Sequence, residues 1–198
     1  DGTPYSYESS SRKSLEAYRT ELLMNRKRQH AALASTENKF ESCNAPANSD
    51  VLAITCDAVC MVPKLPDGSY LMIREFRYPL NALCLAFPAG LIDQGETLEQ
   101  AVDRELREET GFCIRQSAET PLRALAQPGF SSTGMSDESV QVVFVQTEKA
   151  EDAHPESSEI IEPFIVQPSE IRTLLNDKAY LIGTRTQLIL ELLAQQAS

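Results

Sequence analysis

Residues Gly90 to Phe112 read GLIDQGETLEQAVDRELREETGF, and the stretch from Thr97 to Thr110 within them is the clearest helix in the 198-residue chain. Thr97 and Gln100 have the spacing of a capping box, in which each side chain satisfies the other residue's backbone amide. Gly111 supplies the left-handed residue that stops the helix. At about 100° per residue, Leu98, Ala101, Val102 and Leu106 fall on one arc, which should face a core. Glu105 and Glu109 fall in the middle of that arc, and Glu108 lies on its flank, one turn after Arg104. Carboxylates at i and i+4, about 5 to 6 Å apart, repel by ~3 kcal/mol at an effective dielectric near 20, before any desolvation. Something must compensate.

The helix alone leaves two readings open. The acids could form a solvated run neutralised by Arg104 and Arg107. Both arginines, however, project away from the Glu105/Glu109 line, so neither is well placed to pair with both acids. The other reading is a hard divalent cation held by oxygen ligands from successive turns, with positions left for water and substrate phosphate, as magnesium requires.

Outward from the helix, Val51 to Pro63 and Tyr70 to Phe76 flank the turn Pro66-Asp67-Gly68 and predict a β-hairpin. Short strands are expected at Leu83–Phe87, Leu122–Ala126, Val140–Gln146 and Ile160–Val166. Helices are expected at Pro168–Leu175 and Thr184–Ala194. A Gly/Ser-rich loop covers Pro128 to Asp137, and an acidic one Glu148 to Glu159. Residues 1–49 are polar, with a weak helical or irregular stretch at Leu15–Arg28 and a short strand expected at His30–Ser35, and read as an N-terminal extension ahead of a domain spanning 50–198. Strands alternating with a few helices give an α/β (α+β) sandwich rather than a bundle.

The net charge is -11, from 29 acidic and 18 basic side chains. A field of that sign repels phosphate backbones, so no nucleic-acid partner is expected. No apolar run is long enough for a membrane span and no signal-peptide core is visible, so no membrane partner is expected either. The five cysteines lack a C-x-x-C pair and read as buried free thiols in a reducing cytoplasm. With His30 and His154 far apart, a Cys/His zinc site is not expected.

Nine residues of the opening stretch, Gly90, Glu96, Arg104, Glu105, Leu106, Glu108, Glu109, Gly111 and Phe112, occupy every specified position of G-x5-E-x7-R-E-U-x-E-E-x-G-U, where U is apolar. The segment therefore resembles the Nudix box. The resemblance implies an α/β/α sandwich with a mixed β-sheet and magnesium-dependent hydrolysis of a nucleoside diphosphate derivative, with manganese as a substitute ion. It further implies that Glu105 and Glu109 are the main metal ligands and that Glu108 ligates another ion or positions water. Gly90, Glu96 and Arg104 would support the site.

The flanking segments Arg74–Pro79 and Phe87–Asp93, with Pro128 16 residues beyond the box, resemble those of ADP-ribose pyrophosphatases. By that resemblance the substrate is ADP-ribose, cleaved to AMP and ribose 5-phosphate. Arg77 would contact its phosphates, the Ala89 carbonyl would complete the metal shell, and Gly134, Met135 and Asp137 would approach the terminal ribose. Glu159, or failing it Glu156, would be the further catalytic glutamate. A homodimer is the family expectation, with residues 1–49 contributing to its interface. Another nucleotide sugar or dinucleotide as substrate, or a non-catalytic ligand sensor, are the alternatives.

Overall fold

The structure is a computed structural model that describes residues 20, 24, 56–150, 152–155 and 160–196. The expectations for Leu15–Arg28, His30–Ser35, Glu156, Glu159 and the extension as a whole fall almost entirely outside those residues. The chain divides into two compact units, one comprising Asp1–Thr55 with Phe130–Glu138 and the other Cys56–Gly129 with Ser139–Ser198.

The elements are β1 (Ala58–Lys64), β2 (Tyr70–Arg77), β3 (Ala82–Ala86), β4 (Ala89–Leu91), α1 (Leu98–Thr110), β5 (Phe112–Ile114), β6 (Leu122–Ala124), β7 (Gly129–Phe130), β8 (Ser139–Lys149), β9 (Ile161–Val166), α2 (Ile171–Asn176), β10 (Leu181–Ile182) and α3 (Thr184–Gln196). In the larger unit the strand order is β10-β3-β2-β1-β8-β5, with β4 on β1, β6 on β8 and β9 on β2. The sheet is mixed. β1 runs parallel to β8 from Ala58↔Val140 to Lys64↔Gln146, while β1/β2, β1/β4, β2/β3 and β2/β9 are antiparallel.

The continuous apolar run at β1 has a simple cause: the strand is buried on both faces. Val59 and Met61 pack with Ala101, Val102 and Leu106 of α1 and with Val143 and Val145 of β8. Ala58, Cys60 and Val62 point the other way, into a second core with Ile189, Leu190 and Leu193 of α3. This makes the α/β/α sandwich expected from the sequence. The capping box of α1 is present, and Gly111 caps it at φ 73°. Asp103 ties the helix to the next strand by accepting from the Ile114 amide at 2.8 Å.

Several boundaries differ from the sequence reading. The box is entered through β4 and left through β5, two three-residue strands formed by pairing with β1 and β8. So few residues carry no readable alternation, and their neighbours define them. Pairing with β5 also extends β8 to Lys149, so the acidic loop starts later than Glu148. Among the cysteines, Cys60 and Cys84 are buried, whereas Cys56 and Cys113 are only half-buried and Cys43 lies outside the described residues. Burial pushes the Cys60 thiol up to about 11. Among the described residues no helix is long and apolar enough to cross a membrane.

Leu106 is fully buried where α1 meets β1 and β8. Leu106→Ala should lower the unfolding free energy by about 2 to 5 kcal/mol in urea titrations, the range for truncating a core leucine.

Candidate active site

The compensation that the helix requires comes from Arg104. Its Nε and Nη2 donate to Glu96 Oε1 and Oε2, both at 2.9 Å, a bidentate fork across the loop that precedes the helix. Nη2 also donates to the Leu91 carbonyl at 2.9 Å. Nη1 donates to Glu105 Oε1 at 2.8 Å and to Glu108 Oε2 at 3.1 Å. Arg104 thus reaches Glu105 through the length of its own side chain. Three carboxylates share one guanidinium. The Arg104 hydrogen bonds hold Glu96 below its ordinary value, and the same pairing, Glu96 first, raises Arg104.

Glu105 and Glu109 grip adjacent residues of β4. Glu109 is 3% exposed, and its Oε2 accepts from the Ala89 amide at 3.1 Å. The Glu105 carboxyl lies directly over Gly90: a Cβ built at Gly90 would fall 1.9 Å from Glu105 Cδ and 2.0 Å from Oε1. A Cβ fits there only if the Glu105 carboxyl, the far end of a flexible side chain, moves aside. The glycine is needed for close approach. At Ala89, the residue expected to act through its carbonyl, it is the N–H that meets a box carboxylate.

The remaining candidates are spread more widely. Glu108 is more exposed than Glu105 and Glu109 and lines an open cleft of about 710 Å³ on the outer face of α1, with Gln100, Asp103, Arg104, Arg107 and His154. Glu105 and Glu109 are not among the residues lining it. The charges in that cleft are matched internally, Arg107 by Asp103 at 2.8 Å and Arg104 by its own acids. Arg77 sits half-exposed at the end of β2, 2.7 Å from Glu75. β9 joins this strand to the box, since it pairs with β2 and packs beside α1. Gly134, Met135 and Asp137 belong to the smaller unit, where the Met135 and Ser136 amides both donate to the Ser132 carbonyl. Glu156 and Glu159 lie outside the described residues. On the near side of that gap, His154 N–H donates to the Glu108 carbonyl at 2.8 Å and Ala150 N–H to the Gly111 carbonyl at 3.0 Å, which lays the segment along the end of α1.

Sequence reasoning missed the Leu91 carbonyl, since no motif marks a backbone acceptor. It also passed over Asp57, although a lone acid in the apolar run Val51 to Val62 is the kind of signal that asks for a buried partner.

A family profile described as the NUDIX domain matches residues 55–183, well over half of the chain. The chain belongs to the Nudix family. Among curated relatives it is 32% identical over 137 residues to the ADP-ribose pyrophosphatase of Saccharomyces cerevisiae, covering 65% of this chain and 58% of that protein. It is 30% identical over 131 residues to the putative nudix hydrolase 2 of Caenorhabditis elegans, covering 63% and 57%. The matched region thus spans less than three fifths of either relative. Among solved structures, one described as an ADP compounds hydrolase aligns with a TM-score of 0.56 at 24% identity, covering 70% of each chain, a likeness of fold.

Nudix hydrolases generally use divalent metal ions. The donors here fit a hard cation: two box carboxylates face one short strand, and the Gly90 position leaves room for a carboxylate that a Cβ would push aside. Among the described residues no three His, Cys, Asp or Glu side chains are gathered closely enough to hold a metal ion.

Gly90→Ala must push the Glu105 carboxyl aside. Divalent-cation affinity measured by calorimetry should fall by about tenfold or more, with the circular dichroism of the fold retained. A second outcome follows from Glu96, whose folded-state pKa is depressed below the ordinary 4.5. Its contribution to stability is present above that value and is lost as the pH falls through the lower folded value. The stability difference between the wild type and Glu96→Gln in urea should therefore be present at neutral pH and shrink progressively in acid below about pH 4.5.

Proposed function

We propose that this Nudix protein is a pyrophosphohydrolase that cleaves the diphosphate of a nucleoside diphosphate derivative, with ADP-ribose converted to AMP and ribose 5-phosphate. The observation that carries the reading is the pair Glu105 and Glu109 held against Ala89 and Gly90 by the strand β4, with Arg104 bracing the helix from outside. The similarity to an ADP-ribose pyrophosphatase supports the choice of substrate.

Glu105, Glu109 and Glu108, with the Ala89 carbonyl, would hold magnesium, or manganese in its place. The ion would supply charge neutralisation for the diphosphate and a lower pKa for a bound water. The protein's own tasks are placement and proton handling, since phosphoryl chemistry asks for little covalent participation. β4 fixes the two carboxylates against one short segment. Arg104 holds the Glu105 and Glu108 carboxylates in place through hydrogen bonds from its Nη1. Arg77 would hold a substrate phosphate from the end of β2, where the guanidinium is already half-exposed to solvent. Gly134, Met135 and Asp137 would meet the terminal ribose. Glu159, or Glu156, would orient the attacking water and accept its proton. An acidic chain with a net charge of -11 repels a diphosphate in solution, which makes the reaction strictly dependent on a cation. A homodimer in the cytoplasm is the expected setting.

Turnover of ADP-ribose in the presence of magnesium should exceed that of a panel of other nucleotide sugars, dinucleotides and an oxidised nucleoside triphosphate; equal rates across the panel would refute the substrate assignment. Glu109→Gln should reduce magnesium-dependent turnover by about 100-fold or more while the fold persists by circular dichroism, and unchanged turnover would refute the role of Glu109.

A further inference from the structure

Asp57 is the residue just before β1, and it is fastened on both sides. Toward β8, the buried Ser139 donates its N–H to Asp57 Oδ2 at 2.9 Å and its hydroxyl to the same oxygen at 2.7 Å. In return the Asp57 N–H donates to the Ser139 hydroxyl and carbonyl, each at 3.1 Å. Toward the box, the Ile92 N–H donates to the Asp57 carbonyl at 3.0 Å. That last bond is the outermost rung of the β1/β4 ladder, next to Ala58↔Leu91 and Val59↔Gly90.

We propose that Asp57 is a positioning residue for Glu105, acting as a clasp that fixes the box loop against the start of β8. The inference rests on the hydrolase reading above. From the clasp, a continuous set of contacts leads to the acid. Ile92 follows Leu91, whose carbonyl accepts from Arg104 Nη2, and Arg104 Nη1 holds Glu105 Oε1. One rung further in is Gly90, on which the Glu105 carboxyl rests.

The clasp is not needed to register the two parallel strands, because the ladder from Ala58↔Val140 to Lys64↔Gln146 already does so. What it adds lies at the strand entry, where the box loop is attached. The clasp therefore anchors the start of the proposed metal loop. Removing it should loosen Glu105 more than it weakens substrate capture, and misplacement by about an ångström is enough to slow a positioned reaction.

The test compares the full chain with Asp57→Ala, Asp57→Asn and Ser139→Ala. Amide hydrogen exchange at residues 89–96 should speed up in Asp57→Ala with little change in α3. Its kcat on ADP-ribose with magnesium should fall about tenfold while KM stays within about twofold. Asp57→Asn, which keeps an oxygen acceptor for Ser139, should recover most of kcat. Should Asp57→Ala fail to fold, Ser139→Ala, which deletes only the hydroxyl, carries the same comparison. Unchanged exchange and kcat in a folded variant would overturn the proposal, as would faster exchange spread evenly through β8 and α3. If the wild type hydrolyses no nucleoside diphosphate derivative, the hydrolase reading fails by itself, and the exchange pattern decides whether the clasp holds the loop.

Discussion

The hydrogen-bonded fan around Arg104 is the interaction on which the rest of the site depends. The stretch from Gly90 to Phe112 holds seven acidic and two basic side chains, so it cannot fold as a compact loop and helix unless its charge is organised. One guanidinium, with its five donors in a fixed plane, reaches Glu96 in the loop, Glu105 and Glu108 on the helix and the Leu91 carbonyl on the strand. A lysine ammonium could not span that set. The bridge orders the loop relative to the helix, and in doing so it sets where Glu105 can rest.

The sandwich explains why such a charged helix can be buried at all. Ala101, Val102 and Leu106 contribute a narrow apolar face that meets Val59 and Met61 of β1, and the opposite face of β1 is covered by α3. Glu109 is carried inward by the same face. Its burial is tolerated because the Ala89 amide meets its carboxylate, and the strand that presents this amide is itself pinned to β1. Packing and chemistry therefore share β4: the strand that completes the edge of the ladder is also the surface on which both acids rest.

Much of this was legible in the residues. The capped helix, the terminal helix and the long strands have enough length for periodicity and caps to show. The acids on the apolar arc announced themselves as a conflict between charge and burial. The short strands were not legible, because three residues such as Ala89–Leu91 take their conformation from pairing partners rather than from propensity. Nor was the pairing of Arg104 with Glu105, since residues adjacent in a helix diverge at Cβ and meet only through the reach of a long side chain.

By itself the sequence determined the helix, its polarity, its caps and the identity of the acids, because these follow from local periodicity and from residue chemistry. Tertiary structure alone decided that Glu109 meets the Ala89 amide, that Gly90 is a cradle for Glu105, and that Asp57 joins Ser139 across 82 positions of the chain. Those contacts are set by the register of β4 and β8 on β1. Register is a property of strands brought together by a shared core, and no residue carries it alone.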